Sequence, residues 1–252
     1  MTEDMRYQEY LKGWRAEVGL LSPIAGMFRE YDVLAPAGIR FSRAILGMEA
    51  PTPDGVRKLT EFIPSEAKKL NLGHKMDLIA LGCTAGSFIG GVGYDQKIVS
   101  LIEDAAGVPA TTTTTAVIEL LKDLGARKIA LVGPYLKAMF DAEIAFLEGS
   151  GFEVLTVKHL GFETLEEYWD FRHNPYPVYR LVREGHQAAP EADCIFVTCM
   201  FSQIMGIVDI AEQEIGKPVV SSCSSLLYGI LKALQIPDPI EHYGMALRLP
   251  RL

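Results

Sequence analysis

Two cysteines, Cys83 and Cys199, each close an apolar run and open a stretch of small or turn-prone residues. Cys83 lies in Gly82-Cys-Thr-Ala-Gly-Ser-Phe-Ile-Gly-Gly91 and Cys199 in Phe196-Val-Thr-Cys-Met-Phe-Ser202. The glycines around Cys83 let backbone approach a ligand closely, and Thr84 and Ser87 add hydroxyl groups. Backbone N–H groups that follow a strand form an anion-binding nest, more so where a helix begins. The same positive field lowers a cysteine's pKa. The expectation is a thiolate at Cys83 beside a bound carboxylate. A lone cysteine is more often a small buried hydrophobe, but a strand end before a glycine-rich turn argues for function. Cys199 is informative through its registration with Cys83. Two thiols on opposite faces of one carbon are what stereochemical inversion needs, one taking a proton or adding to the carbon and the other delivering a proton.

The other candidates divide into cavity and scaffold. Cys194 is five residues before Cys199, so on a strand it points to the opposite face and should pack in a core. Cys223, in a run of serines, could line a cleft, though a helix-capping segment is the simpler reading. One hydroxyl of Thr111–Thr115 should cap a following helix. Tyr135, after Leu131-Val-Gly-Pro, could hydrogen-bond an oxyanion. Leu21-Ser-Pro-Ile-Ala-Gly26, which contains Pro23, closes the first strand and could add backbone donors.

Stepping outward, buried parallel strands are expected to be continuously apolar. Such runs occur at 17–21, 76–82, 128–133, 194–198 and 218–221, and helical patterns at 52–70, 94–106, 115–124, 137–149, 178–189 and 205–214. The alternation is that of an α/β protein. Asp77-Leu-Ile-Ala-Leu-Gly-Cys83 parallels Asp193-Cys-Ile-Phe-Val-Thr-Cys199, and Gly107-Val-Pro-Ala-Thr-Thr parallels Gly216-Lys-Pro-Val-Val-Ser. The expected fold is therefore two pseudo-symmetric lobes, each a parallel sheet flanked by helices, with the active site in the cleft between them at the strand C-termini. Residues 1–115 plus 222–252 are assigned to the first lobe and 116–221 to the second. The Glu- and aromatic-rich stretch 161–177 reads as a surface loop or lid.

Composition narrows the class. The 252 residues are 49% hydrophobic and 22% charged, ample for a buried core. A net charge of −8 without basic clusters speaks against a nucleic-acid partner. No signal-like leader and no apolar run near 20 residues is present, so a cytoplasmic protein without a membrane partner is expected. The cysteines lack CxxC spacing and the histidines are scattered, so no metal is expected. Neither a GxGxxG nor a P-loop follows a strand, so no nucleotide cofactor is expected. A homo-oligomer is among the expected states.

The Cys83 loop, Val-Pro-Ala-Thr-Thr-Thr and Gly-Lys-Pro-Val-Val-Ser-Ser222 resemble the aspartate/glutamate racemase superfamily, nearest its maleate cis-trans isomerase and arylmalonate decarboxylase branch. The likeness runs from about Val18 to about Ile236. It implies two pseudo-symmetric lobes and no metal or organic cofactor. It further implies Cys83 as the cysteine that attacks a substrate double bond and Cys199 as the proton donor. Thr84, Ser87 and Tyr135 fall where the family binds carboxylate oxygens, and Pro23 and Met200 complete the expected substrate contacts. Decarboxylases of the branch have glycine in place of Cys83, so the pair favours isomerase or racemase chemistry. Maleate isomerases carry Cys-Thr-Asn where this chain has Cys199-Met200-Phe201, and Ser-Asn where it has Ile24-Ala25. Both changes make the cleft more apolar and imply a bulkier or less charged substrate than maleate. The expected partner is a small carboxylic acid. Two alternatives stand beside isomerisation: an arylmalonate-type decarboxylase using Cys199 alone, and a non-catalytic small-acid binding protein.

Overall fold

A computed structural model describes residues 13–73, 76–171 and 174–251. The chain runs β1 (Ala16–Ser22), α1 (Tyr31–Leu34), β2 (Ile39–Ile45), α2 (Pro53–Thr60), α3 (Ile63–Leu70), β3 (Leu78–Leu81), α4 (Thr84–Phe88), α5 (Tyr94–Ala106), β4 (Ala110–Thr112) and α6 (Thr113–Asp123). It continues through β5 (Lys128–Tyr135), α7 (Lys137–Gly149), β6 (Glu153–Phe162), α8 (Leu165–Phe171), α9 (Tyr176–Ala188), β7 (Cys194–Val197), α10 (Val208–Ile215), β8 (Val219–Ser221), α11 (Ser222–Ala233) and α12 (Met245–Arg248). The strands form two four-stranded sheets, ordered β2-β1-β3-β4 and β6-β5-β7-β8. Every pairing is parallel. Since β5 to β8 repeat the order of β1 to β4, the expected two-lobed α/β architecture is the observed one.

The repeat extends to details. β3 and β7 are buried along their whole length, as strands covered on both faces must be. Each is followed at the same distance by a cysteine, Cys83 after Leu81 and Cys199 after Val197. Thr112 caps α6 by accepting from Thr115 N, and Ser221 caps α11 by accepting from Ser224 N. The two helices pack on one another closely enough that a Cβ on Gly229 would lie 2.5 Å from that of Ala116. These caps fulfil the scaffold role expected of the threonine run.

Three strands escaped the continuous-apolar rule. β2 is an edge strand whose burial alternates, with Arg40 exposed, and β6 is half-exposed along its length. β4 spans only Ala110–Thr112 and runs straight into α6. The expected helix 52–70 is two helices, α2 and α3, broken at Glu61-Phe62. Pro64 sits in the first turn of α3, where its missing N–H is tolerated but a continuous helix is not.

Gly82, between β3 and Cys83, is required by a close approach. A Cβ there would stand 2.1 Å from Phe28 Cζ, inside a ring that is buried and packed on Tyr31 at 5.5 Å. Gly82→Ala is expected to cost about 1–3 kcal/mol by overpacking, whereas Gly206→Ala, in open space, should stay within about 0.5 kcal/mol. Urea unfolding of the two variants checks this, and equal midpoints would refute it.

Candidate active site

The turn after β3 presents Cys83 as the N-cap of α4, with its Sγ accepting from Gly86 N at 3.3 Å. A side chain at position 86 would crowd that sulfur, since a Cβ there would come within 3.1 Å of it. The turn after β7 holds Cys199 at φ +76°, a left-handed conformation that non-glycine residues seldom adopt. Strain of this kind persists only where surroundings over-determine it and is concentrated at functional sites. The Phe201 N–H and the Tyr135 hydroxyl both favour the charged form of the Cys199 Sγ.

Cys83 and Cys199 line one cavity of about 370 Å³, mouth included, together with Pro23, Thr84, Tyr135 and Met200. Its remaining wall is largely apolar: Met27, Met48, Val56, Met139 and Phe201. No charged side chain is among the lining residues. Pro23 serves as wall, and its carbonyl accepts from the N–H groups of Gly47 and Met48, which carries Met48 to the cavity. Thr84 keeps its Oγ1 engaged with Ser222 Oγ at 2.9 Å. Tyr135 lies edge-on to Phe88 and Phe140, at 6.3 and 5.7 Å.

Ser87 does not join them. It is fully buried, and its hydroxyl donates to the carbonyls of Cys83 and Thr84 and accepts from Thr114 N. It holds the Cys83 turn against α6 and does not line the cavity, which corrects its expected role as a substrate contact. The reason is helical geometry: Ser87 is one turn beyond Cys83 and faces back along its own helix. Cys194 is buried in β7 and absent from the cavity wall, as its strand parity requires. Cys223 also lies outside the wall, donating its Sγ proton to Met200 O at 3.3 Å.

Tyr168 was missed. It is 2% exposed, lines the cavity, and has a buried hydroxyl without a partner among the described residues. Its ring packs edge-on against Phe162 and Phe201 at 5.6 and 5.8 Å. Its helix, α8, falls in the stretch read as a surface loop or lid. A signal was available in Thr164-Leu-Glu-Glu167, a capping box: Glu167 Oε2 accepts from Thr164 N and Thr164 Oγ1 accepts from Glu167 N. That box starts a helix and places Tyr168 in its first turn, facing inward.

Electrostatics also correct an expectation. Burial pushes the Cys83 thiol up to about 11, against the lowering effect of the Gly86 N–H. Burial pushes Cys199 up to about 12, opposed by the Phe201 N–H and the Tyr135 hydroxyl and reinforced by charge on Cys83. Desolvation therefore outweighs the expected positive field, and both thiols are neutral at neutral pH. Charge on Cys83 raises Cys199 further, so the two titrate as a coupled pair whose singly ionised state sets one thiolate against one thiol. Such a pair can add to or deprotonate a carbon on one side and protonate it on the other. Among the described residues, no cluster of three or more His, Cys, Asp or Glu could hold a metal ion, and no helix is long and apolar enough to cross a membrane.

Comparison with known proteins identifies the family and matches the fold. A family model described as Arylmalonate decarboxylase matches residues 18–246. The chain is 26% identical to arylmalonate decarboxylase of Bordetella bronchiseptica over 203 residues, 81% of this chain and 83% of that one. It is 26% identical to maleate isomerase of Geobacillus stearothermophilus over 178 residues, 69% of this chain and 70% of that one. A liganded mutant of arylmalonate decarboxylase superposes with a TM-score of 0.85 at 25% identity, covering 92% of this chain and 98% of the other. A Nocardia farcinica maleate cis-trans isomerase mutant with a covalently bound succinylcysteine intermediate shares the fold, with a TM-score of 0.83 at 21% identity over 92% of this chain and 98% of the other.

Proposed function

We propose that this chain, which belongs to the arylmalonate decarboxylase family, is an isomerase or racemase of a small carboxylic acid that works through Cys83 and Cys199 without a cofactor. The observation that carries the reading is the pair itself: equivalent turns of the two sheets bring both thiols to one cavity. With a maleate-like alkene, the Cys83 thiolate would form an S–C bond and send the π electrons to the neighbouring carbon. That carbon would take the Cys199 proton, the new single bond would rotate, and the Cys199 thiolate would remove a proton as the S–C bond breaks. With an α-chiral acid, Cys83 would take the α-proton from one face while Cys199 delivers its own to the other. The Tyr135 hydroxyl, which favours the charged form of Cys199, would stabilise the thiolate formed there.

The walls bear on the substrate. A dianion would bring two charges into a cavity with no cationic side chain in its wall, an unfavourable desolvation. An acid with one carboxylate and an apolar substituent suits the methionine and Phe201 surface better than maleate does. The opening turn of α4, where N–H groups have no partner within the helix, and the Tyr168 hydroxyl would bind the carboxylate and its carbonyl oxygen. The apolar wall would also take the aryl group of a substituted malonate, a second reading in which Cys199 alone protonates the resulting enediolate and the second carboxylate meets the same desolvation cost as maleate's.

Proton NMR in D₂O with maleate, aspartate, hydantoins, arylmalonates and a chiral 2-arylpropionate separates the readings. Isomerisation, or α-deuteration with inversion, is the expected result. Carbon dioxide release from the malonate without either would establish the decarboxylase reading, and no change in any acid would leave a binding protein.

A further inference from the structure

A buried carboxyl stands behind the second thiol. Glu143, on α7, is 1% exposed, and its Oε1 accepts from Thr198 Oγ1 at 2.6 Å. Its Oε2 is buried without a partner among the described residues. Burying a carboxyl this deeply is costly, and nothing in packing α7 requires one. Thr198 is the residue between β7 and Cys199, and it is held on three sides. Its N–H donates to Val132 O at 2.8 Å, its carbonyl accepts from Ser202 Oγ at 2.6 Å, and its Cγ2 fills the space that a side chain at Gly133 would take. Glu143 supplies the partner for its hydroxyl. The next residue carries the left-handed φ of +76°.

We propose that Glu143 is a positioning residue for Cys199: its carboxyl braces Thr198 and thereby holds the left-handed turn that carries the thiol to the cavity. Glu143 is not among the lining residues, and its effect is transmitted through Thr198 and through its charge. Burial pushes its carboxyl up to about 8, so it is neutral at pH 7 and ionises above pH 8. The titratable groups that feel its charge are Tyr135 from β5, Cys199 from the β7 turn and Tyr168 from α8, with His159 of β6 packed at a tilt on Phe140 of the same helix at 5.6 Å. Charge on Glu143 raises Tyr135, Tyr168 and Cys199 alike. Above pH 8 its charge therefore holds Cys199 further toward the proton-carrying form.

The role rests on reading Cys199 as a working thiol, but it is testable without a substrate. Full-length protein is labelled with iodoacetamide, and the modification rates of Cys83 and Cys199 are resolved by peptide mass spectrometry, with thermal unfolding as a folding control. Thr198→Val removes the donor at equal volume and should slow Cys199 labelling at pH 7 at least fivefold, leaving Cys83 within twofold. Glu143→Gln keeps a neutral acceptor and should label like the parent at pH 7, yet label Cys199 at least threefold faster at pH 9.5. A folded Thr198→Val that labels Cys199 at the parent rate, or a Glu143→Gln that tracks the parent through pH 9.5, overturns the proposal. Failure of the Cys199 reading would show separately, as turnover surviving in Cys199→Ala.

Discussion

Cys83→Ala and Cys199→Ala should each lower isomerase or racemase turnover by about 10²–10⁴-fold or more, leaving thermal stability nearly unchanged. The stability expectation follows from size: each thiol faces the cavity, so its removal enlarges an existing space rather than opening a void in the core. The activity expectation follows from the coupled pair. Without Cys83 no thiolate remains to take the first step, and without Cys199 the opposite face has no proton. The double variant should be little worse than either single one, because groups that act as a unit are not additive. The measurement is initial rate on whichever acid turns over, with far-UV circular dichroism as control. Near-normal turnover in either single variant would sink the pairing. A chain that loses only Cys83 and still releases carbon dioxide from an arylmalonate would instead be a decarboxylase.

Glu143→Gln should stabilise the protein, and by an amount that grows with pH. Glutamate titrates near 4.5 when unfolded and is pushed up to about 8 in the folded chain. Below pH 4.5 both states hold the proton, and the folded protein bears no ionisation penalty. Between 4.5 and 8 the unfolded chain releases the proton and the folded one keeps it, so stability falls as pH rises. Above 8 the loss is complete. Its full size is on the order of 3–5 kcal/mol, reduced to the extent that relaxation around Oε2 eases the charge. Glutamine removes the titration and retains the Thr198 contact. Urea unfolding at pH 4 and pH 8.5 should show the variant equal to the parent at the first and well above it at the second. A difference that does not change with pH would mean the carboxyl is ionised in the folded state. This cost explains why a buried glutamate beside Cys199 invites a functional reading: a neutral residue would make a more stable protein.

The architecture was legible because its central strands are covered on both faces, and desolvation demands unbroken apolar runs such as Leu78–Leu81 and Cys194–Val197. The registration of Cys83 with Cys199 was legible for a related reason, since each follows its strand by the same short turn. The edge strands β2 and β6 were not, because each has one margin in solvent and tolerates Arg40 or Lys158. Tyr168 was overlooked among acidic neighbours, although Thr164 and Glu167 announce the helix that turns it inward.

The amino-acid sequence by itself determined the α/β repeat, the two strand-end cysteines and the turn-prone loop around the first of them. Those are consequences of local backbone preference and of hydrophobic pattern, which are written in neighbouring residues. Tertiary structure decided the state of the site. It turned Ser87 away from the cavity, raised both thiols by burial where the glycine-rich loop alone predicts a lowered Cys83, and set Glu143 against Thr198 from 55 positions away. Desolvation and pairing depend on which distant atoms exclude water from a group, and no local pattern around Cys83 or Cys199 encodes that.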